Sequence, residues 1–213
     1  MSAAHSLAAA PRVAAHPQVK PHIRSLPLRV GTRGSPLALW QTRHFLSLIE
    51  RVCPVLRNAK AFEEHAIATS GDRIQDRRLA DVGGKGLFAK EIHEALADRR
   101  VDFAVHSLKD LETELPPGIV LACTLTREDA RDALILGPRC HAVDSADPYA
   151  CLPAGASIGT SSVRRQSQIL HARPDLRVET IRGNVQTRLG KVRAGTVCAS
   201  FLALAGLRRL GLE

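Results

Sequence analysis

Aromatic residues are nearly missing from this chain: one Trp, one Tyr and five Phe make up 3% of its 213 residues. A core must therefore be assembled from Leu, Val, Ile and Ala, and there is little to serve as a stacking platform for nucleobases. No apolar run approaches the roughly 18 residues that span a bilayer, which excludes a transmembrane helix. The five cysteines (Cys53, Cys123, Cys140, Cys151, Cys198) are odd in number, and no two have C-x-x-C spacing. That speaks against a disulfide framework or structural zinc and for a reducing, cytoplasmic compartment. HExxH, paired-carboxylate and Ser/His/Asp patterns are missing as well, so no metal site is expected.

What is present is an ordinary globular composition, 45% apolar and 24% charged, so the chain as a whole is not disordered. The net charge of +9 sits at the two ends. Residues 1–49 hold six Lys/Arg and no acid; residues 50–149 hold 14 basic and 18 acidic residues; residues 150–213 hold 10 basic and three acidic ones. A basic surface implies an anionic partner, be it nucleic acid, anionic lipid or a small polyanion. Residues 1–27, rich in Ala, Pro, His and Arg, read as a disordered N-terminal extension. Scattered prolines speak against the amphipathic helix of an organelle transit peptide.

From Leu28 onward the pattern is regular. Leu28–Thr32, Ala66–Ala68, Val101–Val105 and Ile119–Thr124 read as strands, and Pro36–Val52 and Leu87–Ala97 as helices. Further strands are expected at Ala133–Leu136, Ser157–Gly159, Arg177–Ile181 and Val197–Leu202. Helices are expected from Val163 to His171, Asn184 to Arg193 and Ala203 to Leu210. Strands alternating with helices at this spacing predict parallel α/β sheets. The division is an extension (1–27), a first α/β domain (28–125), a hinge (126–130) and a second α/β domain (131–213).

In open α/β sheets, ligands bind where strands hand over to helices. Those junctions share a chemistry here. Arg33 and Ser35 follow the first strand, and Ser107, Lys109 and Asp110 follow the strand at 101–105. Thr160, Ser161 and Ser162 precede a helix that opens with Arg164 and Arg165. Arg182 and Arg188 flank the next junction. Small hydroxyls and free amides at helix starts bind anions, and guanidinium forks hold carboxylates with two hydrogen bonds. Each piece alone is weak: Thr-Ser-Ser is a common N-cap, an Arg pair is a common solvated face, and Gly83-Gly-Lys-Gly86 lacks P-loop spacing. Together they describe an α/β protein that binds a small polyanion beside one acid/base carboxylate.

Six segments in order resemble the porphobilinogen deaminase (hydroxymethylbilane synthase) family: Gly31-Thr-Arg-Gly-Ser-Pro-Leu-Ala-Leu-Trp40, Val82-Gly-Gly-Lys-Gly-Leu-Phe88, Ala104-Val-His-Ser-Leu-Lys-Asp110, Gly159-Thr-Ser-Ser-Val-Arg-Arg-Gln166, Arg182-Gly-Asn-Val185 and Leu204-Ala-Gly-Leu-Arg-Arg-Leu-Gly211. The resemblance implies a transferase of haem (tetrapyrrole) biosynthesis that condenses four porphobilinogen molecules head to tail into hydroxymethylbilane, releasing ammonia each time. It implies two α/β domains like those of type II periplasmic binding proteins, a small third α+β domain, and a dipyrromethane cofactor held covalently by a cysteine. It makes Asp110 the catalytic carboxylate. Arg33, Ser35, Lys85, Ser107, Lys109, Thr160, Ser161, Ser162, Arg164, Arg165, Arg182 and Arg188 become the groups that bind substrate and cofactor carboxylates, with Lys85 in a loop over the cleft. On this reading the arginines serve ligand rather than fold, and the protein is a monomer without nucleic-acid or membrane partners.

Three departures from the family pattern stand out. The chain stops at Glu213, inside the second domain, so the third domain is expected to be absent and sustained turnover by these residues alone is not expected. No cysteine has the Gly-Gly-Cys context of the cofactor attachment site, and Cys198 stands where relatives carry Asp. Asp81 replaces a commonly basic residue. A non-catalytic carboxylate-binding module and a nucleic-acid-binding protein are the competing readings. The first is opposed by the Ser107–Asp110 motif, the second by arginines dispersed over separate strand ends.

Overall fold

A computed structural model of the chain describes residues 25–74, 86–141, 143 and 146–213. Most of the N-terminal extension, Asp81 and Lys85 lie outside the described residues.

The first sheet has three parallel strands in the order β2-β1-β3: β1 (Leu28–Arg33), β2 (Phe62–Ile67) and β3 (Phe103–Ala104). β1 lies in the middle, with Leu28 opposite Phe62 and Val30 opposite Phe103. Helix α1 (Pro36–Val52) starts where the sequence signals it. Ser35 caps it by accepting the Ala38 amide at 3.3 Å, and Pro36 gives up no hydrogen bond at the first position,. A second proline, Pro54, opens the short helix α2 (Pro54–Asn58), which composition alone does not single out. The polar stretch after β2 forms a single helical turn, α3 (Ser70–Arg73).

Helix α4 (Lys90–Ala97) begins three residues later than its apolar pattern suggests. Residues 87–89 form a turn instead, because the amides of Ala89 and Lys90 both reach the Gly86 carbonyl. Ile92 and Ala95 of α4 are fully buried, as is Val30 of β1. A one-turn 3-10 helix (Leu108–Asp110) follows β3.

The second sheet has four strands in the order β4-β7-β5-β6: β4 (Asp132–Leu136), β5 (Ser157–Gly159), β6 (Arg177–Glu179) and β7 (Ala199–Ala203). It is mixed rather than parallel. β5 pairs in parallel with β6 and β7, whereas β4 runs antiparallel to β7, with Leu134 opposite Phe201. An antiparallel edge strand on an otherwise parallel sheet is a common arrangement. Among the described residues of 137–156, which return the chain to β5, there is no helix. Helices α5 (Val163–Ala172), α6 (Val185–Arg193) and α7 (Leu204–Arg209) complete this half. Ile158, Ile169, Leu176 and Ala199 form its main core, and Leu189, Leu202 and Leu207 tie α6 and α7 to β7.

The strand expected at Ile119–Thr124 does not form. Val120 and Leu121 are 80% and 51% exposed, and the segment joins neither ladder. An apolar run becomes a strand only where a neighbour accepts its hydrogen bonds. No helix of the described residues is long and apolar enough to cross a membrane.

Candidate functional site

Two sets of charged side chains gather at strand ends, one in each half. In the first half the centre is Arg33, the last residue of β1. Its Nη1 donates to Asp110 Oδ2 at 2.9 Å, and its Nε to Asp72 Oδ2 at 3.1 Å. Nη2 donates to the other Asp72 oxygen. The guanidinium carbon lies 4.2 Å from the centre of the Phe88 ring, a cation–π contact that fixes its plane. Parallel pairing brings these groups together. β2 and β3 flank β1, so the residues just past their ends converge on Arg33.

The two aspartates have opposite tendencies. Burial pushes the Asp110 carboxyl above the usual carboxylate range; the Arg33 and Lys109 charges pull against that, and Asp72 adds to it. For Asp72, burial acts the same way, but hydrogen bonds from Arg33 and Thr69 prevail and hold it below its ordinary value. Thr69, fully buried, donates to Asp72 Oδ2 at 2.7 Å. Asp110 is thus the carboxyl suited to take up a proton, and Asp72 the one that stays ionised.

Close enough for the Arg33 charge to act on it is a mostly buried trio. His93 Nδ1 is 3.7 Å from Glu112 Oε2, and the His93 and His106 rings are 6.2 Å apart. Burial, with the His93 and Arg33 charges, lowers the His106 pKa to about 4 against the pull of Glu112, so this imidazole is neutral at pH 7. Gly86 (φ +71°) closes over Glu112; any Cβ there would sit 1.8 Å from Oε1. Ser107 donates to Gln41 at 2.8 Å, which ties the start of the 3-10 turn to α1. Lys109 is exposed.

In the second half, the Thr160-Ser-Ser junction organises its own backbone. The Ser162 amide donates to Thr160 Oγ1 at 3.1 Å, Ser161 Oγ donates to the Ile181 carbonyl at 2.6 Å, and Ser162 caps α5 by accepting the Arg165 amide. The arginines differ in how far they are engaged. Arg164 is exposed and makes no hydrogen bond or ion pair with the described residues. Arg165 grips Asp132 with Nε (2.7 Å) and Nη2 (2.6 Å) and donates to the Phe201 carbonyl. Arg182 is buried and reaches the Gly71 carbonyl in the first half at 3.0 Å. Arg188 donates to the Gly183 carbonyl at 2.9 Å. Burial, with the charges of Arg165 and Arg182, pushes the Arg188 pKa below its ordinary value. The charges of Arg165, itself paired with Asp132, and of Arg182 thus both bear on Arg188.

The family model described as porphobilinogen deaminase, dipyromethane cofactor binding domain, matches residues 28–213. The chain belongs to the porphobilinogen deaminase family. Similar relatives named porphobilinogen deaminase include one from Caulobacter vibrioides, 52% identical over 195 residues (89% of this chain and 58% of the relative). Another, from Sorangium cellulosum, is 53% identical over 186 residues (87% and 58%). A rice protein named porphobilinogen deaminase, chloroplastic, is 51% identical over 185 residues, covering 87% of this chain and 50% of the relative. The chain thus spans between half and three-fifths of the length of these deaminases.

The structure brings Arg33 and Asp110 into direct contact and sets Arg165 and Arg182 close enough to act on Arg188. Lys85 lies outside the described residues. Sequence reasoning gave no site role to Asp72 or to Phe88. The available signal was position: Thr69-Ser-Gly-Asp72 follows the strand next to β1, where a carboxylate faces whatever ends β1.

Proposed function

We propose that this chain is the Asp110-bearing, carboxylate-binding portion of a porphobilinogen deaminase, acting on porphobilinogen and the oligopyrrole made from it. The observation that carries this reading is the guanidinium cluster of Arg165, Arg182 and Arg188 in the half opposite Asp110. Each pyrrole unit carries an acetate and a propionate, and such a cluster lowers its own repulsion by binding them. Arg164, exposed and unengaged among the described residues, is available to a ligand without any rearrangement.

The same donor set suits a dipyrromethane, whose carboxylates match the guanidiniums of Arg164, Arg165, Arg182 and Arg188 and the hydroxyls at Thr160–Ser162. When bound, that group supplies the pyrrole end to which further units are added. The chain's own residues orient the incoming pyrrole and handle its proton. Asp110, with a raised pKa and one hydrogen bond from Arg33, accepts pyrrole N–H hydrogen bonds. It also balances the positive charge that develops as ammonia leaves, and burial, which raises its pKa, suits it to take up a proton,. Phe88 and Asp72 keep Arg33 from swinging away.

We place the parts as two α/β units of periplasmic-binding-protein type, 28–125 and 131–213, joined at 126–130, in a monomeric cytoplasmic protein. Titration calorimetry with porphobilinogen tests the reading. Binding that weakens roughly ten- to hundredfold in Arg164→Leu, the loss of about 1.5–3 kcal/mol expected for a charged hydrogen bond, supports it. No binding, or binding indifferent to Arg164, contradicts it.

A further inference from the structure

Arg33 has two carboxylate partners and divides itself unequally between them. Its Nε–Nη2 edge, the one that matches a carboxylate with two parallel hydrogen bonds, is taken by Asp72,. Asp110 receives one hydrogen bond, from Nη1. We propose that Asp72 is a positioning residue, which occupies the two-pronged edge of Arg33 and so limits the cation's hold on Asp110.

The turn that carries Asp72 is held from several sides. The Ser70 amide donates to Glu91 Oε1 at 2.8 Å, and the Ser70 hydroxyl donates to the same oxygen. The Gly71 amide donates to the Leu87 carbonyl at 2.7 Å, and the Gly71 carbonyl accepts from Arg182. Gly71 packs so closely on Phe88 that a Cβ would lie 2.4 Å from the ring. Phe88 in turn lies against Arg33. Thr69 donates to Asp72 Oδ2 at 2.7 Å, leaving that carboxylate engaged by a hydroxyl as well as the guanidinium. A four-residue turn built this tightly holds its carboxylate in one place, and that place is the paired edge of Arg33.

The consequence falls on Asp110. A carboxylate that received the whole of Arg33 would be strongly acidic and a poor proton acceptor. With Asp72 on the paired edge, Asp110 keeps one hydrogen bond, meets the negative charge of Asp72, and is held above the usual range by burial. Among the described residues, the charged groups acting on Asp110 are Arg33 from β1, Asp72 from α3 and Lys109 beside it. Removing the Asp72 charge acts in one direction twice. It takes away a negative neighbour and it frees the guanidinium to turn fully to Asp110. Both lower the Asp110 pKa.

This role rests on Asp110 being the working carboxylate of the proposed function, but its test needs no turnover. The side-chain carboxyl carbons of the 213-residue chain, labelled with 13C at aspartate, are followed by NMR as pH is varied, with Asp110 assigned from Asp110→Asn. In Asp72→Asn the Asp110 midpoint moves to lower pH, and Asp72→Ser moves it the same way. A midpoint that stays in place or rises in a folded variant overturns the proposal. Loss of the fold in both variants overturns it too, because Asp72 is then a structural residue. Failure to bind porphobilinogen counts against the proposed function and leaves the carboxyl midpoints as they are.

Discussion

Arg182 Nη2 donates to the Gly71 carbonyl at 3.0 Å, across 111 residues of sequence and between the two sheets. Arg182 is 5% exposed. A guanidinium so placed belongs to the packing of the two halves as much as to any ligand. Arg182→Leu leaves the Gly71 carbonyl without this donor in a buried place, a loss of about 1–3 kcal/mol. Urea unfolding at pH 7 should show the destabilisation before any ligand is added; an unchanged midpoint would mean that the link carries no weight.

Arg164 and Arg165 are adjacent in sequence and opposite in behaviour. Arg165 clamps α5 to β4 through Asp132 and to β7 through the Phe201 carbonyl, while Arg164 is exposed. Arg165→Leu should cost about 1 kcal/mol of stability, since solvent screening weakens the partly exposed pair,. Arg164→Leu should leave thermal stability within about 0.5 kcal/mol of wild type. Equal losses in the two variants would refute the distinction.

Gly71→Ala forces a methyl against the Phe88 ring and within 2.9 Å of the Leu87 carbonyl. Overpacking of this kind costs about 1–3 kcal/mol. The variant should melt lower, and its near-ultraviolet circular dichroism should change through Phe88. A melting point equal to wild type would show that the turn yields without cost.

His106 predicts a pH dependence. Its folded pKa of about 4 lies below the ordinary value of 6.5, so between those values the unfolded chain binds more protons than the folded one. Stability therefore falls as pH drops from 6.5 toward 4, by roughly 3 kcal/mol over the window, and this contribution is flat outside it. Urea titrations at pH 7, 5.5 and 4.5 measure the slope. His106→Gln should flatten it, and a slope that survives the substitution would assign it to other groups.

Much of this architecture can be read from the chain. The proline and serine at the start of α1, the strand at Ser157–Gly159 and the helices at α5 and α6 follow from caps and periodicity, which are local. The antiparallel pairing of β4 with β7 and the failure of 119–124 to form a strand depend on which neighbour is available, and no local pattern carries that. The site divides the same way. Arg33, Asp110 and the arginines of the second half stand at strand ends that sequence alone marks. The engagement of Arg165 with Asp132, 33 residues away, and of Arg33 with Asp72, 39 residues away, follows from sheet order. So does the difference between an arginine committed to the fold and one left open.

The proposed function rests on the guanidiniums of Arg164, Arg165, Arg182 and Arg188 recognising pyrrole carboxylates. Calorimetric titration of the chain with porphobilinogen, and then with its diester, which keeps the ammonium but has no carboxylate, at the same ionic strength, tests it most directly. The account predicts binding of the dicarboxylate that weakens with added salt and is lost with the diester. Equal affinity for the two compounds would contradict it.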